Sequence, residues 1–324
     1  MANASRRPAT ATMALLLLLV LLELAAMTGL SQGQLQVGFY SESCPDAEDI
    51  VSSAVQDAAA SDPTLLPALV RLQFHDCFVR GCDGSVLIAG AEVKNSKHQG
   101  LRGLDVVDAA KALLEEQCPG VVSCADVLAL AARDAIGMTN GPSFDVPTGR
   151  RDGLASNVRD ADVLPDASDN IQTLRSKFAT AGLDDRDLVL LTAAHTIGTT
   201  ACFFVKDRLY GASGSDPGIP AGYLAELKAR CAPGDFNTRV PLDRGSEARF
   251  DGSILRNIQA GLVPIASDAA LVADNATAAL VGAYIGSPRF RRDFVGAMVK
   301  MGTIGVITGG NGEIRDVCSA FNTN

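Results

Sequence analysis

The sequence contains no tryptophan, only four tyrosines and only three histidines among 324 residues. The missing tryptophan removes indole fluorescence as a probe, and the three histidines restrict imidazole chemistry to very few positions. Strand-like alternation of apolar and polar residues is scarce, whereas apolar residues recur at three- and four-residue intervals from Asp46 onward. These patterns predict a mostly α-helical protein with long loops.

Long apolar runs are also missing after the first thirty-three residues, where nothing approaches the roughly 20 apolar residues of a membrane span. The leader itself has Arg6 and Arg7, an apolar stretch over 13–22, and small residues at Ser31 and Gly33. This order is typical of a secretory signal. We therefore expect residues 1–33 to be a signal peptide, residues 34–324 to be the mature chain, and no membrane anchor.

The sequence has fewer basic than acidic residues, 28 against 37, and its formal net charge is −9. Binding to nucleic-acid phosphates requires a basic stripe. The small basic clusters at 150–151 and 289–292 are interrupted or flanked by acidic or apolar residues. We expect no nucleic-acid partner.

The eight cysteines form an even set in a chain expected to reach an oxidising compartment. Four disulfides are therefore favoured. A zinc site is the weaker interpretation, because only Cys77 and Cys82 lie at short spacing near a histidine.

Helix start and stop signals can be placed at three points. The stretch Ser123-Cys-Ala-Asp126 is typical of a helix N-terminus, and Ser287-Pro288 predicts the start of a helix that ends near Gly302. The periodic stretch 185–197 stops at Gly198, which places His195 in the last turn of a helix.

Arg71 and His75 are four residues apart, so a helix would present them on one face, about 6 Å apart along its axis. A base and a cation in this arrangement can address one small ligand together. The alternative is an amphipathic helix on which both polar side chains face solvent.

Two stretches are rich in oxygen donors and lie next to histidines. The first contains Asp76, Asp83 and Ser85, with Gly81 and Gly84 allowing a tight turn; the second contains Asp243, Ser246 and Asp251, and Thr196 follows His195. Such oxygens suit a hard cation such as calcium. Neither stretch has EF-hand spacing, so solvated turns remain the alternative.

His195 lies in A-A-H-T-I-G, among apolar and small residues. A lone histidine there is usually structural, but neutral imidazole is also a common axial ligand of haem iron. A haem that cleaves peroxide requires one protein nitrogen on one side and a base with a cation on the other. His195 and the Arg71/His75 pair together meet that requirement.

Five motifs, in this order, make the chain resemble the secretory plant haem peroxidases of class III from about Gln34 to Cys318. They are Q-L-Q-V-G-F-Y-S-E-S-C-P, R-L-Q-F-H-D-C-F-V-R-G-C-D-G-S, V-V-S-C-A-D, G-P-S-F-D-V-P-T-G-R-R-D and L-T-A-A-H-T-I-G. The resemblance implies a mostly α-helical fold in which two helical lobes sandwich haem b, with four disulfides and two bound calcium ions.

The same resemblance assigns roles to individual residues. His195 would be the axial haem ligand with Asp268 accepting its Nδ1 hydrogen, Arg71 and His75 the distal catalytic pair, Phe74 a wall of the distal pocket and Pro165 part of the donor edge. The distal calcium would take Asp76, Val79, Gly81, Asp83, Ser85 and, through water, Glu92. The proximal calcium would take Thr196, Asp243, Ser246, Arg249 and Asp251.

The family's disulfides fall at Cys44–Cys118, Cys77–Cys82, Cys124–Cys318 and Cys202–Cys231, and its buried ion pair falls at Asp126 and Arg150. Asn275-Ala-Thr277 is an acceptor for N-glycosylation in an exported chain.

One departure concerns the asparagine that normally accepts the Nδ1 hydrogen of the distal histidine. Here the stretch reads A-E-V-K-N-S-K-H-Q-G, and counting back from 101–103 without gaps puts Lys97 at that position. Lys97 beside His75 would lower the pKa of the histidine and accept no hydrogen bond. We expect Asn95 or a backbone carbonyl to substitute.

The resemblance implies an extracellular cell-wall peroxidase that reduces hydrogen peroxide and oxidises phenolic donors by one-electron steps. We expect a monomer, since nothing in the loops suggests an obligate interface. One alternative is a catalytically weakened haem- and calcium-binding wall protein, favoured by the missing asparagine. Another is a hydrolase with paired carboxylates, which would leave both histidine segments unexplained.

Overall fold

The computed structural model describes residues 34–323, so the predicted signal peptide lies outside the described residues. Within this range twelve α-helices account for most of the regular structure. They are α1 Ala47–Ser61, α2 Leu65–Phe78, α3 Leu104–Gln117, α4 Cys124–Met138, α5 Ile171–Thr180, α6 Asp185–Thr192, α7 Lys206–Tyr210, α8 Ala221–Arg230, α9 Ser253–Gln259, α10 Ala266–Ala270, α11 Asn275–Tyr284 and α12 Phe290–Met301. None of these helices is both long and apolar enough to cross a membrane.

The helices pack in two groups. Helices α1 to α4 form one, in which α2 lies mainly against α4. Helices α5, α6 and α9 to α12 form the other, in which α6 contacts both α11 and α12. One continuous set of buried apolar side chains extends through both groups, and a smaller core lies among α7, α8 and β2. The predicted helical class is confirmed.

Strand structure in the described part is limited to one antiparallel pair, β1 Thr199–Ala201 and β2 Arg239–Pro241, in which Thr200 lies opposite Val240. Six short 3₁₀ helices complete the regular structure of residues 34–323. They are Ser85–Leu87, Glu92–Lys94, Ser96–His98, Val158–Val163, Ala193–Thr196 and Cys202–Phe204.

One of the three predicted helix boundaries agrees fully with the structure, and the other two agree in part. The Ser123 side chain accepts a hydrogen bond from the backbone N–H of Asp126, which caps α4. The helix over 185–197 is correct in position, but α6 ends at Thr192 and the chain tightens into the 3₁₀ turn that carries His195. The third boundary was wrong at its start: Ser287 and Pro288 form a turn, and α12 begins at Phe290.

All eight cysteines lie in the described range and are paired as the resemblance implied, in Cys44–Cys118, Cys77–Cys82, Cys124–Cys318 and Cys202–Cys231. The zinc interpretation is therefore wrong. The expected ion pair is also formed: Arg150 Nη1 donates to Asp126 at 2.7 Å, and the Tyr40 hydroxyl donates to the same carboxylate at 2.7 Å. Both carboxylate oxygens have partners, as burial of a charge requires.

Candidate active site

Helix α2 carries Arg71 and His75 on one face. Leu69 and Leu72 are fully buried on the same helix and fix its rotation against the core. Arg71 Nε donates a hydrogen bond to His75 Nε2 at 3.1 Å, so the two side chains are in contact and can act on the same ligand. His75 is buried rather than facing solvent, and the solvated-helix alternative is wrong.

The surroundings of His75 favour its neutral form. Burial lowers the pKa of His75 well below its ordinary 6.5, and the charge of Arg71 adds to this. Burial also lowers the pKa of Arg71 to about 10, so its guanidinium stays charged at neutral pH. The arrangement therefore holds a neutral base beside a cation.

His195 is held differently. Its 3₁₀ turn follows α6 directly, and its Nδ1 lies 2.8 Å from the fully buried Asp268 of α10. Burial alone would lower the pKa of His195, but the charge and hydrogen bond of Asp268 outweigh it and raise the pKa. The side chain is 37% exposed, and its Nε2 has no hydrogen-bond partner among residues 34–323. That nitrogen is accessible to a ligand.

The two histidine segments come together in space. Arg71 is close enough to His195 for its charge to oppose protonation of that imidazole, as it does at His75. Gly198, three residues after His195, packs against Pro67 of α2, and an added Cβ would lie 2.9 Å from the proline ring. Its φ of +95° also favours glycine. This close approach brings the His195 turn next to α2.

His98 is the partner of His75, and the sequence argument missed it. Its Nδ1 lies 2.9 Å from His75 Nδ1, and the next carbonyl, that of Gln99, accepts a 3.2 Å hydrogen bond from Arg71. The sequence did contain one indication of this role. The third histidine lies in the loop whose alignment with the family's asparagine is ambiguous. Imidazole can accept a hydrogen bond as an asparagine carbonyl does.

Neither residue suggested in its place reaches His75. Asn95 caps the turn Ser96–His98 through the Lys97 N–H, and its amide donates to Val158 and Asp162. Lys97 pairs with Asp166. The expectation that Asn95 or a backbone carbonyl substitutes is therefore wrong, and Lys97 does not lie beside His75 either. The loop folds into two 3₁₀ turns, which bring His98 to the distal side.

The predicted distal calcium ligands surround one turn closed by the Cys77–Cys82 disulfide. Asp76 Oδ1, Ser85 Oγ and both Glu92 carboxylate oxygens are buried without a well-aligned hydrogen-bond donor. Burial, with Asp83 and Glu92 nearby, raises the pKa of Asp76 well above its ordinary value. Clustered buried oxygens of this kind suit a hard cation.

Gly81 in this turn has φ +104°, and a Cβ there would lie 2.7 Å from the Gly305 backbone. The turn is therefore pressed against the segment after α12. The Cys82 N–H also donates to the Ile304 carbonyl at 2.9 Å. Val79, the remaining predicted ligand, is fully buried at the end of α2.

The predicted proximal calcium ligands also converge. Thr196 Oγ1 donates to Asp243 at 2.8 Å, while Ser246 Oγ donates to Asp251 at 2.8 Å and lies 3.3 Å from the Arg249 carbonyl. No three His, Cys, Asp or Glu side chains of residues 34–323 form a metal-binding group by themselves. A cation at either cluster would need these hydroxyl and carbonyl oxygens as well.

The remaining predicted site residues are placed as follows. Phe74 is partly buried, with its ring centroid 4.2 Å from that of Phe78. Pro165 is partly exposed directly after the 3₁₀ helix Val158–Val163, and Asn275 is exposed at the first turn of α11.

Comparison with known proteins agrees with this geometry. Residues 51–287 match the model of the peroxidase family. The chain is 52% identical to Peroxidase 43 of Arabidopsis thaliana over 91% of this chain and 94% of that protein. It is 51% identical to Peroxidase 13 of the same plant, over 94% and 98%, and 46% identical to Peroxidase N1 of Nicotiana tabacum, over 96% and 97%. The hydrolase alternative is therefore wrong: the chain belongs to the peroxidase family, among the class III plant enzymes that use haem.

Proposed function

We propose that this peroxidase binds haem b through His195, reduces hydrogen peroxide on the side of His75 and Arg71, and oxidises small phenolic donors by one-electron steps. One observation carries the proposal: the segments of two imidazoles lie next to each other, with His75 buried beside the cation Arg71 and the partly exposed His195 beside the buried carboxylate of Asp268. Haem, when bound, supplies the redox-active iron.

The chemistry of the chain begins with His75. Its Nε2 takes a proton from one oxygen of the peroxide. It delivers that proton to the other oxygen, which leaves when the O–O bond breaks. Arg71, whose Nε lies 3.1 Å from that nitrogen, stabilises the negative charge that develops on the leaving oxygen. Both roles require a neutral His75 and a charged Arg71, and the directions of their pKa shifts support those states.

His195 would hold the haem iron through Nε2. Asp268 accepts its Nδ1 hydrogen, which leaves Nε2 with its lone pair and makes the imidazole more electron-rich. Phe74, partly buried beside His75, forms an apolar wall that limits water around the distal pair.

Two calcium ions would be held by oxygen donors and would fix the backbone of the loops that carry them. One would take Asp76, Val79, Gly81, Asp83 and Ser85, with Glu92 acting through water. The other would take Thr196, Asp243, Ser246, Arg249 and Asp251. The unpartnered buried oxygens at the first cluster and the convergent hydroxyls and carboxylates at the second support this assignment.

The leader 1–33, the four disulfides and the exposed Asn275 support an exported, glycosylated enzyme of the plant cell wall with a peroxidase domain over 34–324. Phenolic donors would approach the edge formed by Pro165. We expect the enzyme to act as a monomer.

An absorption spectrum of the purified mature protein, before and after peroxide, tests the proposal. We expect a ferric Soret band that shifts within the mixing time and returns when a phenol is added. His195→Ala should lose or misligate the haem while keeping the far-ultraviolet circular dichroism of a helical protein. A Soret band that peroxide leaves unchanged, or a normal ferric spectrum in His195→Ala, would contradict the assigned roles.

A further inference from the structure

His98, the third histidine, takes no part in the proton transfers proposed above. It ends the 3₁₀ turn Ser96–His98, and its side chain is 0% exposed. Its ring lies against that of His75, with centroids 5.0 Å apart, planes inclined by 46° and the two Nδ1 atoms 2.9 Å apart. Two ring nitrogens at this distance form a hydrogen bond when one carries the proton and the other a lone pair.

The neighbours of His75 assign the direction of this bond. Arg71 Nε is a donor only, and it points at His75 Nε2 from 3.1 Å. His75 Nε2 must therefore present its lone pair, and in the neutral ring the hydrogen then lies on Nδ1. His75 donates this hydrogen, and His98 Nδ1 accepts it.

Glu92 determines which nitrogen of His98 carries the hydrogen. Once Nδ1 of His98 is the acceptor, the hydrogen of the neutral ring belongs on Nε2, which lies 3.0 Å from Glu92 Oε1. Neither atom makes a well-aligned hydrogen bond, so the contact acts through charge. A lone pair on Nε2 would nevertheless face a buried carboxylate, and that repulsion favours the protonated nitrogen there.

We propose that His98, oriented by Glu92, is the positioning residue of the distal side, and that it holds His75 in the tautomer whose Nε2 carries the lone pair and can act as the base. It does so where the family usually has an asparagine. The inference rests on the proposed role of His75. Because Gln99 accepts from Arg71, the same short loop positions both members of the distal pair.

The structure also explains why a histidine fits there. The loop folds into two 3₁₀ turns, and Asn95 and Lys97 fasten it to the segment 158–166. Glu92 sits at the start of the first turn and His98 at the end of the second, so the pair spans the loop. Glu92 Oε2 remains available to the distal oxygen cluster, where the charge of Glu92 already acts on Asp76.

Stopped-flow measurement of the Soret shift after peroxide tests the role of the hydrogen bond. His98→Leu should bind haem with an unchanged ferric spectrum and react about 10- to 100-fold more slowly. His98→Asn, whose amide oxygen can accept the same hydrogen, should recover most of the rate. Ser96→Ala, at an exposed position of the same loop, is the control and should react as the wild type does. A His98→Leu rate equal to wild type, or a His98→Asn rate as low as that of His98→Leu, would overturn the proposal.

A second measurement does not depend on turnover or on a variant that folds. With only three histidines, ¹⁵N-histidine NMR of the diamagnetic ferrous carbon monoxide form can resolve every ring. We expect His75 with its hydrogen on Nδ1 and His98 with its hydrogen on Nε2. The reverse tautomers would overturn the inference. Failure of the proposed function would appear separately, as a wild-type protein that does not respond to peroxide.

Discussion

His75 and His195 are the same side chain in two opposite environments. The first lies on a regular α-helix, faces Arg71 and His98, and has a pKa lowered well below 6.5 by burial and by the charge of Arg71. The second lies on a 3₁₀ turn and has a pKa raised by Asp268 against the effect of burial. Burial acts in the same direction on both, so the charged partner decides the difference.

This difference separates the two tasks of a peroxidase site. A proton shuttle must be neutral at rest and must release the proton that it takes up. An axial ligand must keep its coordinating nitrogen free and electron-rich, which a carboxylate on the other nitrogen provides. The charged partner of His75, Arg71, lies on the same helix, whereas the sequence neighbours of His195 are apolar and small and its partner Asp268 comes from a distant segment.

Removal of the distal base should have the largest effect. In His75→Ala both proton movements lose their shuttle, so the rate of peroxide cleavage should fall by about 10³-fold or more. The haem should remain bound, because His195 and Asp268 are untouched. Stopped-flow spectroscopy measures the rate and the ferric spectrum checks the haem. A variant that reacts at the wild-type rate would show that the distal side does not work through His75.

Acid should remove the same base reversibly. Below its pKa His75 is protonated and cannot accept the peroxide proton, so the rate should fall as the pH decreases. Because burial and Arg71 lower that pKa, the midpoint should lie well below 6.5. Stopped-flow rates between pH 3.5 and 8, with the ferric spectrum as a control for haem loss, measure it. A midpoint at or above 6.5 would contradict the described environment of His75.

The proximal side should respond more moderately. Asp268→Asn keeps a hydrogen-bond acceptor but loses the charge that makes His195 electron-rich, so activity should fall about 10- to 100-fold and the iron reduction potential should rise. The same change at the exposed Asp316 is the matched control and should alter neither. An unchanged potential in Asp268→Asn would mean that the carboxylate only supports the turn.

Much of this contrast could be predicted from the sequence. Residues four apart on a helix must share a face, so the Arg71/His75 pair followed from spacing alone. The specific motifs gave the family, the disulfides and the helical fold. The helix predicted to continue through His195 was correct in position but not in type, since a 3₁₀ turn and an α-helix share nearly the same local pattern.

His98 could not be predicted in the same way. Its loop differs in length from the family pattern, so counting from either end gives a different residue. The position of a loop side chain depends on turns and on contacts with other segments, here those of Asn95 and Lys97 with 158–166. Sequence distance carries no information about these contacts. The side chain that reaches His75 is three residues beyond the asparagine that the sequence favoured.

The smallest effect is expected at the residue that ungapped counting placed beside His75. Lys97 pairs with Asp166, and both side chains are partly exposed, so the pair contributes at most about 1 kcal/mol to stability. Lys97→Met should therefore leave the peroxide rate and the pH midpoint unchanged and shift the thermal midpoint only slightly. These measurements sharpen the comparison. If Lys97 lay beside His75, removing its positive charge would instead raise the pKa of His75 and with it the pH midpoint. A raised midpoint in Lys97→Met would place the ammonium among the cations that keep the distal histidine neutral.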